Sequence, residues 1–414
     1  MKHTKLKIAC ASQLLLLGAT FSSFTYASTT LEDEGTGPGL LAGAAGVNDS
    51  GIEVGHFMGI GGNAVAFVRL SPGIETALPA LVANQSCRTT AITNGGLIVG
   101  FCRDALGRNQ AVAWSASQPA AGPRLLAPRA LLGLVPDVRT AALGVNSQGA
   151  IVGISTDGAG TNRPELWPVG SNSPIDLPFN LLGLSNTNCA AIDVADGSGV
   201  TPSVLGVCPD GQGRSRPVLW SATGLLGAYS ATALPLPVSA QYCDATAINA
   251  AGQVLGGCDF GASVGHKTVR WAANGGAPIV LSSVNGFSRS HGIDMNANGQ
   301  ITGNYVGTND IVTGFYWNPD TSTITAIPPL SVGASGEAVA ISDTGVVIGN
   351  SEVGGGQSHP FEWTLATGTV DDGVLSGGSN AAVAALSKNG CFAAGSSEIA
   401  GHISHAVLFN RCGP

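Results

Sequence analysis

An apolar run ending in glycine recurs eight times along this chain, at Gly55, Gly100, Gly153, Gly206, Gly256, Gly303, Gly349 and Gly395. An aromatic residue follows each: Phe67, Trp114, Trp167, Trp220, Trp271, Trp317, Trp363 and Phe409. The gaps from glycine to aromatic are 12, 14, 14, 14, 15, 14, 14 and 14 residues, and neighbouring glycines lie 45 to 53 residues apart. A period of this size means an array of like supersecondary units, so the fold must be one that stacks them. The length, 414 residues, would suit two or three ordinary domains, but the repeats fill nearly the whole chain.

Repeat seven shows the unit most clearly. Glu337 to Ile341 reads as a short apolar strand, Ser342-Asp343-Thr344-Gly345 as a turn, and Val346 to Gly349 as the returning strand. A polar loop leads to a third strand at His359 to Trp363, and Thr369-Val370 opens a weak fourth. Short strands between turn signals indicate an all-β repeat. The turn begins with Asn48, Thr93, Asn146, Asn249, Asn296, Ser342 or Ser387, with glycine three positions later. Such side chains accept from backbone N–H groups two residues on, and glycine takes the left-handed conformation the turn requires. Repeat four departs, with a longer loop from Asp193 to about Pro202.

Two before the aromatic stands Val65, Val112, Glu165, Val218, Val269, Phe315, Phe361 or Val407, on the same strand face. Three before it stands a small residue or proline, which suits a sheet sandwiched between two others. The single aromatic of each repeat is then inter-sheet core. Ala247-Ile248-Asn249, His359-Pro360-Phe361-Glu362-Trp363 and His405-Ala406-Val407-Leu408-Phe409 resemble the bacterial extracellular repeats known as the HAF family, over roughly residues 40 to 410. The resemblance implies an exported, propeller-like protein and supplies no catalytic residues.

Four-stranded units of this period predict an eight-bladed β-propeller. The last repeat stops just after its third strand, whereas Thr29 to Gly35 precedes the first repeat and reads as a strand. The N-terminal strand is therefore expected to complete the last blade and remove the exposed edges. The alternative, an open solenoid, needs polar capping repeats, and neither end reads as one.

The N-terminus reads as a secretory signal of residues 1–27. Lys2, Lys5 and Lys7 precede an apolar stretch from Ile8 to Gly18, and Thr25-Tyr26-Ala27 places cleavage after Ala27. Residues 28–414 are then one exported propeller domain, periplasmic or extracellular. It would carry 15 Lys and Arg against 26 Asp and Glu, a formal charge of −11. No basic cluster survives, which argues against nucleic acid, and no later segment approaches membrane-spanning length. The rest of the chain holds eight cysteines, an even number that fits disulfides in an oxidising compartment. Paired positions in an antiparallel hairpin share a centre, and the hairpin centres predict Cys87–Cys102, Cys189–Cys208, Cys243–Cys258 and Cys391–Cys412.

Tempting motifs mostly reduce to turn chemistry. Gly261-Ala262-Ser263-Val264-Gly265 matches a nucleophile elbow, but that motif needs a strand-to-helix turn. Asp294 to Gly299 opens like a calcium loop, but position twelve is Tyr305 instead of glutamate. His359, His402 and His405 would suit zinc only if they converged. No cofactor or metal is predicted. The most regular polar feature lies four residues before each aromatic: Asn63, Gln110, Arg163, Arg216, Lys267, Thr313, His359 and His405. In a closed ring these share one level. Arg163, Arg216, Lys267, His359 and His405 are the candidate binding residues for a glycan or an acidic group. The competing and preferred reading is that each caps its own or a neighbouring blade. The expected function is a monomeric, non-enzymatic binding module for an extracellular glycan, polymer or protein. The alternatives are a secreted polysaccharide hydrolase or lyase with its site near the axis, and a structural envelope component. A mouth of His, Asp and Arg would favour the enzyme, and a mouth of Ser, Gly and Ala the binder.

Overall fold

The structure is a computed structural model that describes residues 30–33, 42–59, 61–70, 75–131, 135–178, 188–197, 199, 201–223, 228–281, 289–307 and 310–412. The expected signal segment and its cleavage point lie outside them. Each repeat folds into a four-stranded antiparallel meander. The first strands are Ala42–Val47, Cys87–Ile92, Arg139–Val145, Ala190–Val194, Tyr242–Ile248, Arg289–Met295, Gly336–Ile341 and Ala381–Leu386. Each packs against the next, and the last packs against the first, so they form a closed inner cycle. One parallel bridge, Thr313 to Gly336, joins the sheets of repeats six and seven. Thr30–Asp33 pairs antiparallel with Ile403–Asn410 and supplies the fourth strand of the last sheet, as the chain ends predicted.

The recurring glycine has a structural cause that periodicity does not reveal. Every first strand carries a register shift opposite the second strand: for example between Ala142 and Gly144, and between Ala245 and Ala247. Just before the shift, a first-strand carbonyl leans onto the repeat glycine. A Cβ on Gly100, Gly153, Gly206 or Gly256 would lie far inside van der Waals contact with the carbonyl oxygen of Arg88, Ala141, Ala190 or Asp244. Only glycine allows that approach.

The tryptophans are inter-sheet core. Trp114 packs against Val54, Ala66 and Val68 of the preceding repeat, and Trp220 against Ala150, Val152 and Leu166. Their indole N–H groups donate to carbonyls of the preceding connection, Trp114 to Pro79 at 3.0 Å and Trp271 to Pro235 at 2.8 Å, which satisfies the one polar atom such a ring buries.

The register corrects the alignment of repeat one. Trp114, Trp167 and Trp220 stand opposite Ile98, Ile151 and Val204. The residue at that place in repeat one is Arg69, opposite Glu53, while Phe67 faces Gly55 as Phe315 faces Gly303. The gap of 12 therefore measured a different residue. A fully buried Arg69–Glu53 ion pair replaces the aromatic–aliphatic pair of the other repeats.

All four disulfides form with the expected partners: Cys87–Cys102, Cys189–Cys208, Cys243–Cys258 and Cys391–Cys412. Three tie the start of a first strand to its second strand. The fourth fastens the C-terminus beside the closing strand.

Candidate functional site

The hairpin turns of the first two strands gather around one mouth of the axis. Asn296 shows how they bind together. Its Oδ1 accepts from Asn298 and Gln300 N–H groups at 3.1 and 3.0 Å, closing its own turn. Its Nδ2 donates to the Ser342 carbonyl of the next repeat at 2.8 Å. Asn48, Asn146 and Asn249 do the same, reaching Thr93, Ala195 and Asn296. From this first turn position, Ser342 and Ser387 are too short to cross. Where they begin the turn, Asp343 N–H donates to the Lys388 carbonyl, and Asn389 donates to Asp49 across the seam between last and first repeats. The expected local turn role is thus present, with a second role as a belt between repeats.

Two features close this mouth. Lys388, from the turn of repeat eight, ion-pairs with Asp196, from the long loop of repeat four, 192 residues away and on the far side of the cycle. Asp196 also accepts from Ser147 N–H at 2.7 Å. Burial alone would pull the Lys388 ammonium down, but Asp196, with Asp343 and Asp193 beyond it, holds it above its ordinary value. Beneath lie Asp193 and Asp294, which occupy the position just after the register shift where other repeats carry Gly46, Ala91, Gly144, Ala247, Ala340 and Ala385. Asp193 accepts from Val194 and, in the next repeat, Ile248, both at 2.8 Å; Asp294 accepts from Met295 and Ile341 at 2.8 and 2.9 Å. Burial pushes the Asp193 carboxyl up to about 7 despite these donors, and raises Asp294 likewise. The calcium-like segment at Asp294 therefore serves as an inter-repeat clamp.

The candidate binding residues do share one level on the third strands, but they do not converge. Arg163 bridges Asp137 and Asp157 at 2.8 Å each. Arg216 Nε donates to the Leu234 carbonyl at 3.2 Å. His359 lies 3.1 Å from Asp371 and His405 2.6 Å from Asp33, each on the fourth strand of its own sheet. Lys267 is half-buried, and burial lowers its ammonium. His402 faces Glu398, so the three histidines suggested for zinc stand apart. The Gly261–Gly265 segment is a turn between two strands.

The structure does assemble a cluster that no sequence motif marked: Asp244, His266 and His291, with one ligand-type atom from each lying within 4.8 Å of the others. Asp244 and His291 stand on first strands of adjacent repeats, and His266 starts the third strand of the first of them. Asp244 Oδ1 accepts from Gly257 N–H at 2.8 Å, and its Oδ2 lies 3.2 Å from His266 Nε2. His266 Nδ1 lies 2.9 Å from the Ser290 carbonyl oxygen. Burial would raise the Asp244 carboxyl, but the His266 contact holds it low; His266 is raised in return against its own burial. Burial lowers His291, partly opposed by Asp244. A Cβ on Gly257 would occupy the space of the His266 ring, so this glycine makes room for the imidazole.

No protein-family model matches the chain, and no curated protein matches it in sequence. Solved structures do resemble it. The Dos1 propeller superposes with a TM-score of 0.53 at 9% identity, covering 93% of this chain and 95% of the other. A puromycin hydrolase complexed with PGG gives 0.54 at 14% identity, covering 85% of this chain and 56% of the other. Prolyl oligopeptidase B from Galerina marginata gives 0.53 at 9% identity, covering 92% and 54%. The chain thus spans about half the length of either hydrolase. At such low identities the likeness establishes the fold alone: four-stranded antiparallel sheets arranged as a β-propeller.

Proposed function

We propose that this chain is an exported eight-bladed β-propeller of the HAF-repeat type, released by cleavage after Ala27, which binds an extracellular or cell-surface partner and is not itself an enzyme. One observation carries the reading. At the turn mouth, Asp49, Asp193, Asp196, Asp294, Asp343 and Lys388 are committed to backbone donors, to the asparagine belt or to one another. Among the described residues, no acid–base pair is left converging on the axis there. Four disulfides support an oxidising compartment.

The opposite face fits a partner better. The chain order places the loops between second and third strands, and the connections between repeats, on that face. Leu106 and Val264 stand exposed on the former, Val238 and Val332 on the latter. These four tips, in separate loops, are the candidate contacts for a protein or an apolar-faced polymer, although Val169 and Leu365 are also exposed in loops of the turn face. The net negative charge disfavours polyanions.

Binding of the purified chain without residues 1–27 to glycan arrays and intact cell envelopes tests this, with a polysaccharide-degradation screen alongside. Binding is expected to survive Lys388→Ala and to weaken about tenfold or more when Val238→Asp and Val332→Asp are combined, as for anchors at an interface. Turnover of any polysaccharide overturns the reading in favour of a hydrolase or lyase.

A further inference from the structure

We infer that Asp244, His266 and His291 bind a divalent transition metal ion of the zinc type, at the wall between the fifth and sixth repeats. The site goes beyond the binding reading and does not depend on it.

The case begins with proton counting on His266. Its Nδ1 faces the Ser290 carbonyl oxygen at 2.9 Å, and its Nε2 faces the Asp244 carboxylate at 3.2 Å. A carbonyl and an ionised carboxylate only accept, whereas a neutral imidazole has one N–H to give. A positive species, either a proton or a metal ion, must therefore lie between Nε2 and Oδ2. His291 distinguishes the two. A proton there leaves His291 Nδ1 buried with no hydrogen-bond partner, as it stands among the described residues. A metal ion recruits a His291 ring nitrogen as its third ligand, since the three donor atoms already lie within 4.8 Å of one another.

The spacing agrees at the His266–Asp244 pair, and the His291 donor, within 4.8 Å of both, closes in when the ion binds. Two ligands each about 2.0–2.1 Å from a tetrahedral zinc ion stand about 3.3 Å apart, close to the observed separation of 3.2 Å. The outer groups are also in place. Ser290 fixes the tautomer and plane of His266, and the Gly257 N–H holds the second oxygen of Asp244. Such partners orient ligands at metal sites. Gly257 leaves the cradle that the His266 ring fills. Two imidazoles and one carboxylate favour zinc and its neighbours over calcium or magnesium, which take oxygen ligands. Three protein ligands leave a fourth position for water or an incoming donor atom.

The purified chain is stripped with chelator, dialysed against micromolar zinc chloride, and its metal content measured. One zinc per chain is expected, with a raised thermal midpoint. Cobalt(II) in place of zinc should give the visible bands of a four-coordinate site. His291→Gln and Gly257→Ala should weaken zinc binding about tenfold or more, while His359→Gln leaves it unchanged. The cobalt spectrum and zinc stoichiometry of the unaltered chain stand even where a variant misfolds. A chain that holds no zinc, or one whose binding is unaffected by His291→Gln, leaves a protonated His–Asp pair and overturns the proposal.

Discussion

Arg69 and Glu53 occupy a position that in the other repeats belongs to an aromatic and an aliphatic side chain, and both are fully buried. Burying an ion pair costs desolvation that its attraction only partly offsets, whereas removing one partner strands a charge. Glu53→Val or Arg69→Met alone should therefore cost about 3–5 kcal/mol, while Glu53→Ile with Arg69→Trp and Glu75→Gln, which leaves no carboxylate beside the lost guanidinium, should be neutral or stabilising. Urea unfolding of the three variants checks this, and additive losses in the combined variant would refute it. Glu165 is a second polar intruder, in a series otherwise of valine and phenylalanine. Ser155 has one hydroxyl proton but faces both Asp137 and Glu165. Burial pushes the Glu165 carboxyl up to about 8, against the Ser155 contact and Arg129. Burial likewise pushes Glu53 to about 7 against Arg69, and Asp193 to about 7. Each of these folded-state values lies above its unfolded one, so these groups hold more protons in the folded chain between about pH 4.5 and 8. The stability they contribute is full below that window and falls as pH rises through it, outweighing His56, whose burial lowers its imidazole to about 4 and acts the other way. Unfolding midpoints should be higher at pH 5 than at pH 8, and Glu165→Gln should flatten the difference by on the order of 2 kcal/mol.

Within one hairpin, the register shift and the repeat glycine are two halves of one device. The extra residue lets the first strand bend inward, and the displaced carbonyl then needs the space above glycine. Gly153→Ala should cost about 2 kcal/mol or more by overpacking against Ala141. Gly158→Ala, in the loop of the same repeat with nothing near its Cβ, should be neutral. Thermal unfolding of the pair separates a packing cause from a general glycine effect. Much of this element was legible. The strands, the turns and the hairpin centres that paired the cysteines are set by residues close in sequence, where local propensity and loop geometry decide. The shift itself was not legible, because a first strand with one residue too many has the same apolar composition as one without. The Trp position of repeat one was misassigned for a similar reason: its occupant is charged, and only the partner strand identifies it.

Closure belongs to the whole molecule. Thr30–Asp33 covers the edge of Ile403–Asn410, and Asp33 engages His405. Deleting residues 28–34 should uncover that edge and yield lower thermal midpoints with concentration-dependent association, measured by light scattering. Replacing Cys391 and Cys412 with serine should cost about 3 kcal/mol, because the loop they close is again free in the unfolded chain. The belt at the turn mouth distributes the remaining work of closure over asparagines, each holding its own turn and the next.

The spacing of Gly153, Trp167 and their equivalents determined the repeat, its strands, the disulfides and the strand exchanged between the chain ends, since each is a property of one repeat or of where the repeats stop. Tertiary structure alone decided what lies between repeats. Lys388 meets Asp196 across 192 residues, and Asp244 meets His291 across two sheets. Neither pairing leaves a periodic trace, because a contact made once around a ring breaks the repetition by which the ring is read.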